Sequence, residues 1–94
     1  MTADEKLEVL KCDLQLLTTS NDSLLRNLIR QAEAAVQTEG IVLVVNDIEC
    51  DMAVVSYAAY LFRKRASAET SMPRFLRYSL NNILFRQKGG TNDL

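Results

Sequence analysis

The clearest pattern of apolar and polar positions lies between residues 22 and 39. Leu24, Leu25, Leu28, Ile29, Ala32 and Val36 recur at intervals of three, four and seven, which is one apolar helix stripe facing a core. Arg26, Arg30, Glu33 and Gln37 fall largely outside it. Asn21 or Asp22 can supply the cap oxygen at the start, and Gly40 sits where a residue past the end can turn left-handed and stop the helix. Upstream, Thr2 and Glu5 have the spacing of a capping box, and Leu7, Val9, Leu10 and Leu14 follow. This predicts a first helix over about residues 3–11, ended by the polar run LLTTSNDS, whose residues favour caps and turns.

The pattern changes at IVLVV, residues 41–45. Its β-branched content favours an extended backbone, but periodicity does not separate a buried strand from a loop or helix segment. A strand needs a partner, and the chain has no second strand-like run. The run is therefore expected to pack under the helices or to be covered by a neighbouring subunit.

From Asn46 the pattern is helical again. Asn46 and Glu49 have the spacing of a capping box in its looser Asn form. Ile48, Met52, Val55, Ala59 and Phe62 make one stripe, and Cys50, Val54, Tyr57 and Leu61 a second. Two stripes imply a helix with neighbours on more than one side, the central helix of a bundle or ring. Pro73 opens a last helix, at the first position, where its missing N–H is harmless, and Phe75, Leu76, Leu80, Ile83 and Leu84 form its stripe. The expected fold class is all-α: one domain over residues 1–88, a small bundle of four helices with short connectors, leaving 41–45 as the one candidate extended segment. Residues 89–94 read as a flexible tail. Leu28, Ile29, Val55, Ala59, Phe62 and Leu80, from the second to fourth helices, are the expected core.

Composition agrees with a globular domain, at 48% hydrophobic and 24% charged residues. Ninety-four residues bury only a modest core, roughly 60–65% of the unfolded surface. The net charge of −1 gives no global field toward nucleic acid or membrane. Residues 1–45 carry seven acids and four bases, residues 46–94 five acids and seven bases, so the halves stand at −3 and +2. With no basic-apolar leader and no long apolar run, the expectation is a soluble, non-secreted protein without membrane contact.

The acidic cluster Asp47, Glu49 and Asp51 is the first candidate for chemistry. On a helix Asp47 and Asp51 point one way and Glu49 nearly the opposite way, so they do not converge on one ion. Negative charge at a helix start is stabilised by the dipole, which accounts for all three. Histidine is absent, and Cys12 and Cys50 form no CxxC pair, so a zinc site or a Cys-His or Ser-His-Asp nucleophile has no basis. Both thiols are expected to be free. No Gly-rich phosphate loop occurs. The expectation is a protein that is not an enzyme, with no catalytic or metal residues and no cofactor. The aromatic residues Tyr57, Tyr60, Phe62, Phe75, Tyr78 and Phe85 read as core or interface. The basic residues Arg63, Lys64, Arg65, Arg74, Arg77 and Arg86 are the candidate contact residues, either solvated and salt-bridged, at a subunit interface, or facing DNA.

Three stretches carry a resemblance to a known family: NDSLLRNLIRQAEAAVQTEG, with a Leu-rich start and a small-residue middle; DMAVVSYAAYLFRKRASAE, an Ala-rich run ending in an aromatic followed by charges; and MPRFLRYSLNNILFRQK, opened by proline. In these the chain resembles the head–tail connector, or DNA-packaging adaptor, family of tailed phages and prophages. The likeness spans about residues 3–88 and consists of diffuse patterns without a catalytic signature. One departure is TEGIVLVVND, far more apolar than the polar turn such proteins often have there. The resemblance implies a structural subunit of the virion, made in the bacterial host cytoplasm. It implies a homo-oligomeric ring, with the subunit able to remain a monomer alone. The implied partners are the portal protein, a tail-completion or stopper protein, and DNA passing through the channel without sequence readout. A ring needs heterologous interfaces, which the −3/+2 split and the doubly apolar third helix suit. Arg63, Lys64, Arg65, Arg74, Arg77 and Arg86 are then expected at subunit contacts or facing the channel. The alternatives are a small helical DNA-binding regulator, which a pI near 5.3 disfavours, and a partner-binding module.

Overall fold

A computed structural model of the chain describes residues 1–92, and among them there are four helices and no strand. The order is α1 (Ala3–Leu14), α2 (Asp22–Thr38), α3 (Ile48–Ala66) and α4 (Arg74–Asn92). The all-α bundle read from periodicity is the architecture observed.

Local chemistry explains most helix ends. Thr2 and Glu5 complete the capping box of α1: the Glu5 N–H donates to Thr2 Oγ1 at 3.1 Å, and the Thr2 N–H to Glu5 Oε1 at 2.7 Å. α1 runs three residues beyond the expected end. It stops in a left-handed turn at Gln15, φ 59°, where the Leu16 N–H reaches the Lys11 carbonyl at 2.9 Å and the Gln15 N–H reaches Cys12 at 3.2 Å. α2 ends in the same way at Gly40, φ 104°, with Ile41 bonded to Val36 at 3.4 Å and Gly40 to Gln37 at 2.9 Å. Both are Schellman motifs, in which the residue after the left-handed one turns its side chain back on the helix. That folds Ile41 into the core and places Leu16 against it.

Three expected caps differ. Asn21 precedes α2 but makes no side-chain cap bond, while Asp22 lies inside the helix and pairs with Lys11 at 3.0 Å. Asp47, not Asn46, caps α3: its Oδ1 accepts from the N–H groups of Glu49 at 3.0 Å and Cys50 at 3.4 Å. Asn46 takes the left-handed turn just before, φ 64°, which Asn tolerates better than most residues. The Pro73 carbonyl accepts from Leu76 and Arg77 at 3.1 and 3.2 Å, so Pro73 stands at the cap, one place earlier than expected. At the other end α4 continues through Gly89 and Gly90 to Asn92, past residue 88 where the tail was expected. Of that tail, Asp93 and Leu94 lie outside the described residues.

α3 is the central helix and packs against the other three. Ala53, Ala58 and Ala59 on α3 and Ala32 on α2 are buried, and small side chains there let the helices approach closely. Of the six expected core residues, Leu28, Ile29, Val55, Ala59 and Leu80 are buried and Phe62 is half-buried at the edge. The core also reaches beyond helices two to four, because α1 contributes Leu7 and Leu10. α4 packs mainly on α3 through Leu76, Leu80 and Ile83. The molecule is elongated, 49 × 30 × 18 Å.

Candidate functional surface

Three carboxylates at the start of α3 part company. Asp47 stands outside the helix as its cap, so the 100° rule for successive helical residues does not govern it. Its Oδ2 pairs with Arg86 Nη2 at 3.0 Å, and Glu49 pairs with Arg86 Nη1. Asp47 and Glu49 thus converge on one guanidinium, against the expectation that Asp47 would share a direction with Asp51. Asp51, on the opposite side of α3 from Glu49, is buried and accepts from the Met1 amino group at 2.7 Å, with Lys6 Nζ at 3.7 Å. Lys6 also reaches Glu33 at 3.0 Å. Among the described residues no group of three or more His, Cys, Asp or Glu side chains could hold a metal ion.

The six basic residues singled out from the sequence do not form one patch. Arg63 pairs with Asp13 on α1 at 3.5 Å, and Lys64 lies 5.6 Å above the Tyr60 ring and donates to its hydroxyl at 3.3 Å. Arg86 binds residues 47 and 49 at the other end of α3, about 21 Å away along the helix by its 1.5 Å rise. Arg77 makes a two-pronged pair with Glu39 at the end of α2, both bonds at 3.0 Å. The hydrogen bonds from Arg77 hold the Glu39 carboxyl below its ordinary pKa, and Glu39 raises that of Arg77. Arg65 and Arg74 are exposed, at the end of α3 and the start of α4. Intramolecular pairing thus occupies Arg63, Arg77 and Arg86. Their partners lie far away in the chain, which is why periodicity did not show it.

The run at 41–45 divides. Ile41 is buried and Leu43 half-buried, but Val42, Val44 and Val45 are exposed, Val45 by 84%. The whole run therefore does not pack under its own helices. A Schellman turn buries one residue, and an extended backbone then alternates sides. Gln87 holds the segment: its amide donates to the Val42 carbonyl at 2.8 Å and accepts from the Val42 N–H at 3.0 Å, so one side chain satisfies both backbone groups. A signal for this existed. Leu76, Leu80, Ile83 and Gln87 share one face of α4, so Gln87 is a polar residue at an apolar stripe position.

Exposed apolar side chains continue around the molecule. Ile48 and Met52 on α3 border a shallow groove against α4, whose lining includes Ser79, Asn82 and Arg86. Phe75, Tyr78 and Phe85 stand out from α4, although Phe75 was placed in its core stripe. Position 75 lies one residue from buried Leu76 and faces away from α3. Tyr57 and Tyr60, by contrast, pack edge to face at 5.8 Å against the core. Both cysteines are free, Cys12 exposed and Cys50 buried. No helix among the described residues is long and apolar enough to cross a membrane. No family model, curated protein or solved structure matches this chain.

Proposed function

We propose that the protein is a head–tail connector subunit of a tailed phage or prophage, a structural part that joins a ring between the portal and the tail-completion proteins. The observation that carries the reading is the exposed apolar surface. Val42, Val44, Val45, Ile48, Met52, Phe75, Tyr78 and Phe85 all face solvent in a single copy of a small helical chain. Exposed apolar side chains in such number on a small chain mark places that other proteins cover. The resemblance of residues 3–88 to connector proteins supplies the kind of assembly. In that assembly Val42, Val44 and Val45 are covered by a neighbouring subunit, and Arg65 and Arg74 are the bases left for contacts with neighbours or the channel.

The test is co-expression with a portal protein of a tailed phage, taken from the genome that encodes this chain, followed by pull-down and negative-stain electron microscopy. The expected result is a stable complex with an additional ring of density on one end of the portal. A chain that neither binds the portal nor adds density to it overturns the reading.

A further inference from the structure

α4 is thinly anchored for its length. α3 and α4 are each 19 residues long, yet α3 buries seven side chains and α4, among its described side chains, only Leu76, Leu80 and Ile83. α1, α2 and α3 each pack on the other two, whereas α4 rests mainly on α3. The contacts among the first three helices therefore do not pass through α4. Ordering a helix costs conformational entropy at every residue, and burial has to offset it. A long helix with a short apolar seam is accordingly the element that opens first.

Besides that seam, α4 is held by polar ties with a common destination. Arg77 grips Glu39, Gln87 clamps the backbone of Val42, and Arg86 holds Asp47 and Glu49. All of these partners lie between residues 39 and 49, from the end of α2 to the first turn of α3. The charged members are partly exposed in the closed state, so water replaces their bonds when α4 leaves and no buried charge is stranded. At the other end, residues 67–71 join α3 to α4 and are exposed except for half-buried Thr70, so a hinge there disturbs little packing.

We infer that α4 is a strap that releases as one unit from a persistent core of α1, α2 and α3, turning at residues 67–71 and unclamping Val42 as it goes. Ala53 and Ser56 of α3 line the shallow groove together with Ser79 and Ile83 of α4. Release opens this groove along its length and joins Ala53, buried in the closed state, to Ile48 and Met52, which are exposed already. The strap thus sets how much of the apolar face of α3 meets solvent. This opening follows from the helix contacts alone and does not rest on the connector reading.

Native-state hydrogen exchange of the full chain, read by NMR in low urea, tests this. The protected amides of α4 should share one opening and exchange about tenfold or more faster than the most protected amides of α2 and α3. Ile29→Val, in the persistent core, should speed exchange of those α2 and α3 amides about two- to tenfold and leave α4 unchanged, because Ile29 stays packed when the strap opens. Arg77→Gln should speed both groups by about threefold, since its tie to Glu39 is broken in either opening. The Val42 amide, bonded to Gln87, should be no better protected than α4. If Ile29→Val speeds α4 and the core alike, the molecule opens only as a whole and the strap is overturned. Stepwise fraying of α4 without a common opening, or a Val42 amide better protected than α4, overturns it as well.

Discussion

Arg77 on α4 grips Glu39 at the end of α2 through two parallel hydrogen bonds, each 3.0 Å long. α4 otherwise rests mainly on α3, so the pair ties the last helix to a second neighbour. Glu39 has its pKa lowered chiefly by the hydrogen bonds from Arg77. A depressed carboxyl adds stability that is fully present above its unfolded pKa and lost as pH falls through the folded one. Glu39→Gln should therefore cost about 0.5–1 kcal/mol near neutral pH, a modest figure because both side chains are partly exposed. The difference from the parent should shrink as pH falls below about 4.5. Urea melts at a series of pH values measure it, and a gap that does not change with pH contradicts this role for Glu39.

Leu10 is fully buried although it belongs to the first helix, which the sequence pattern left outside the core. Leu10→Ala should cost about 2–5 kcal/mol, the same range as Leu28→Ala in α2. Leu17→Ala, at a site 93% exposed, should change stability by less than about 0.5 kcal/mol and serves as the control. If Leu10→Ala melts with the control, α1 is not docked.

Gln15 and Gly40 end their helices with the same hydrogen-bond pattern, but only one of them is glycine. A side chain in the left-handed region is strained, and Gln15 is exposed, so little packing is lost with it. Gln15→Gly should stabilise the protein by about 0.5–1 kcal/mol, read as a raised Tm. Gly40→Ala should do the opposite, by about 1 kcal/mol or more, because its Cβ would meet the strained φ and stand 3.4 Å from Leu84 Cδ1. A Tm that falls in Gln15→Gly refutes the assignment of strain.

Burial pushes the Cys50 thiol above its ordinary pKa, and the charges of Asp47 and Asp51 push it the same way. Cys12 is exposed. Since the thiolate is the reactive form, a thiol reagent at about pH 8 should modify Cys12 quickly and Cys50 only after denaturant is added. Mass spectrometry of the singly labelled protein would locate the adduct. Equal labelling of both in the native protein would show that the start of α3 opens readily.

The four helices were legible because each carries its apolar residues at helical intervals and most have recognisable ends. Thr2 with Glu5, Gly40 and Pro73 are local signals, and the interactions behind them span only a few residues. The doubly apolar α3 is likewise central because its own residues leave few polar positions to face water. The sequence by itself therefore determined helix number, order, approximate limits and the buried stripe of α2.

Tertiary structure decided the rest. Asn46 and Asp47 can both supply a cap oxygen, so spacing alone did not choose between them; in the structure Asn46 takes the left-handed turn, and Asp47 caps α3 while its second oxygen holds Arg86, nearly forty residues away. Whether Ile48, Met52 and Phe75 are core or surface depends on where α4 crosses α3, and an apolar pattern does not encode that crossing. The same holds for IVLVV. Local turn geometry buries Ile41, Gln87 of α4 clamps Val42, and the helices leave Val44 about half exposed and Val45 84% exposed. Apolarity set by the sequence says that a residue gains from burial, while only the packed arrangement says whether its own chain provides the cover.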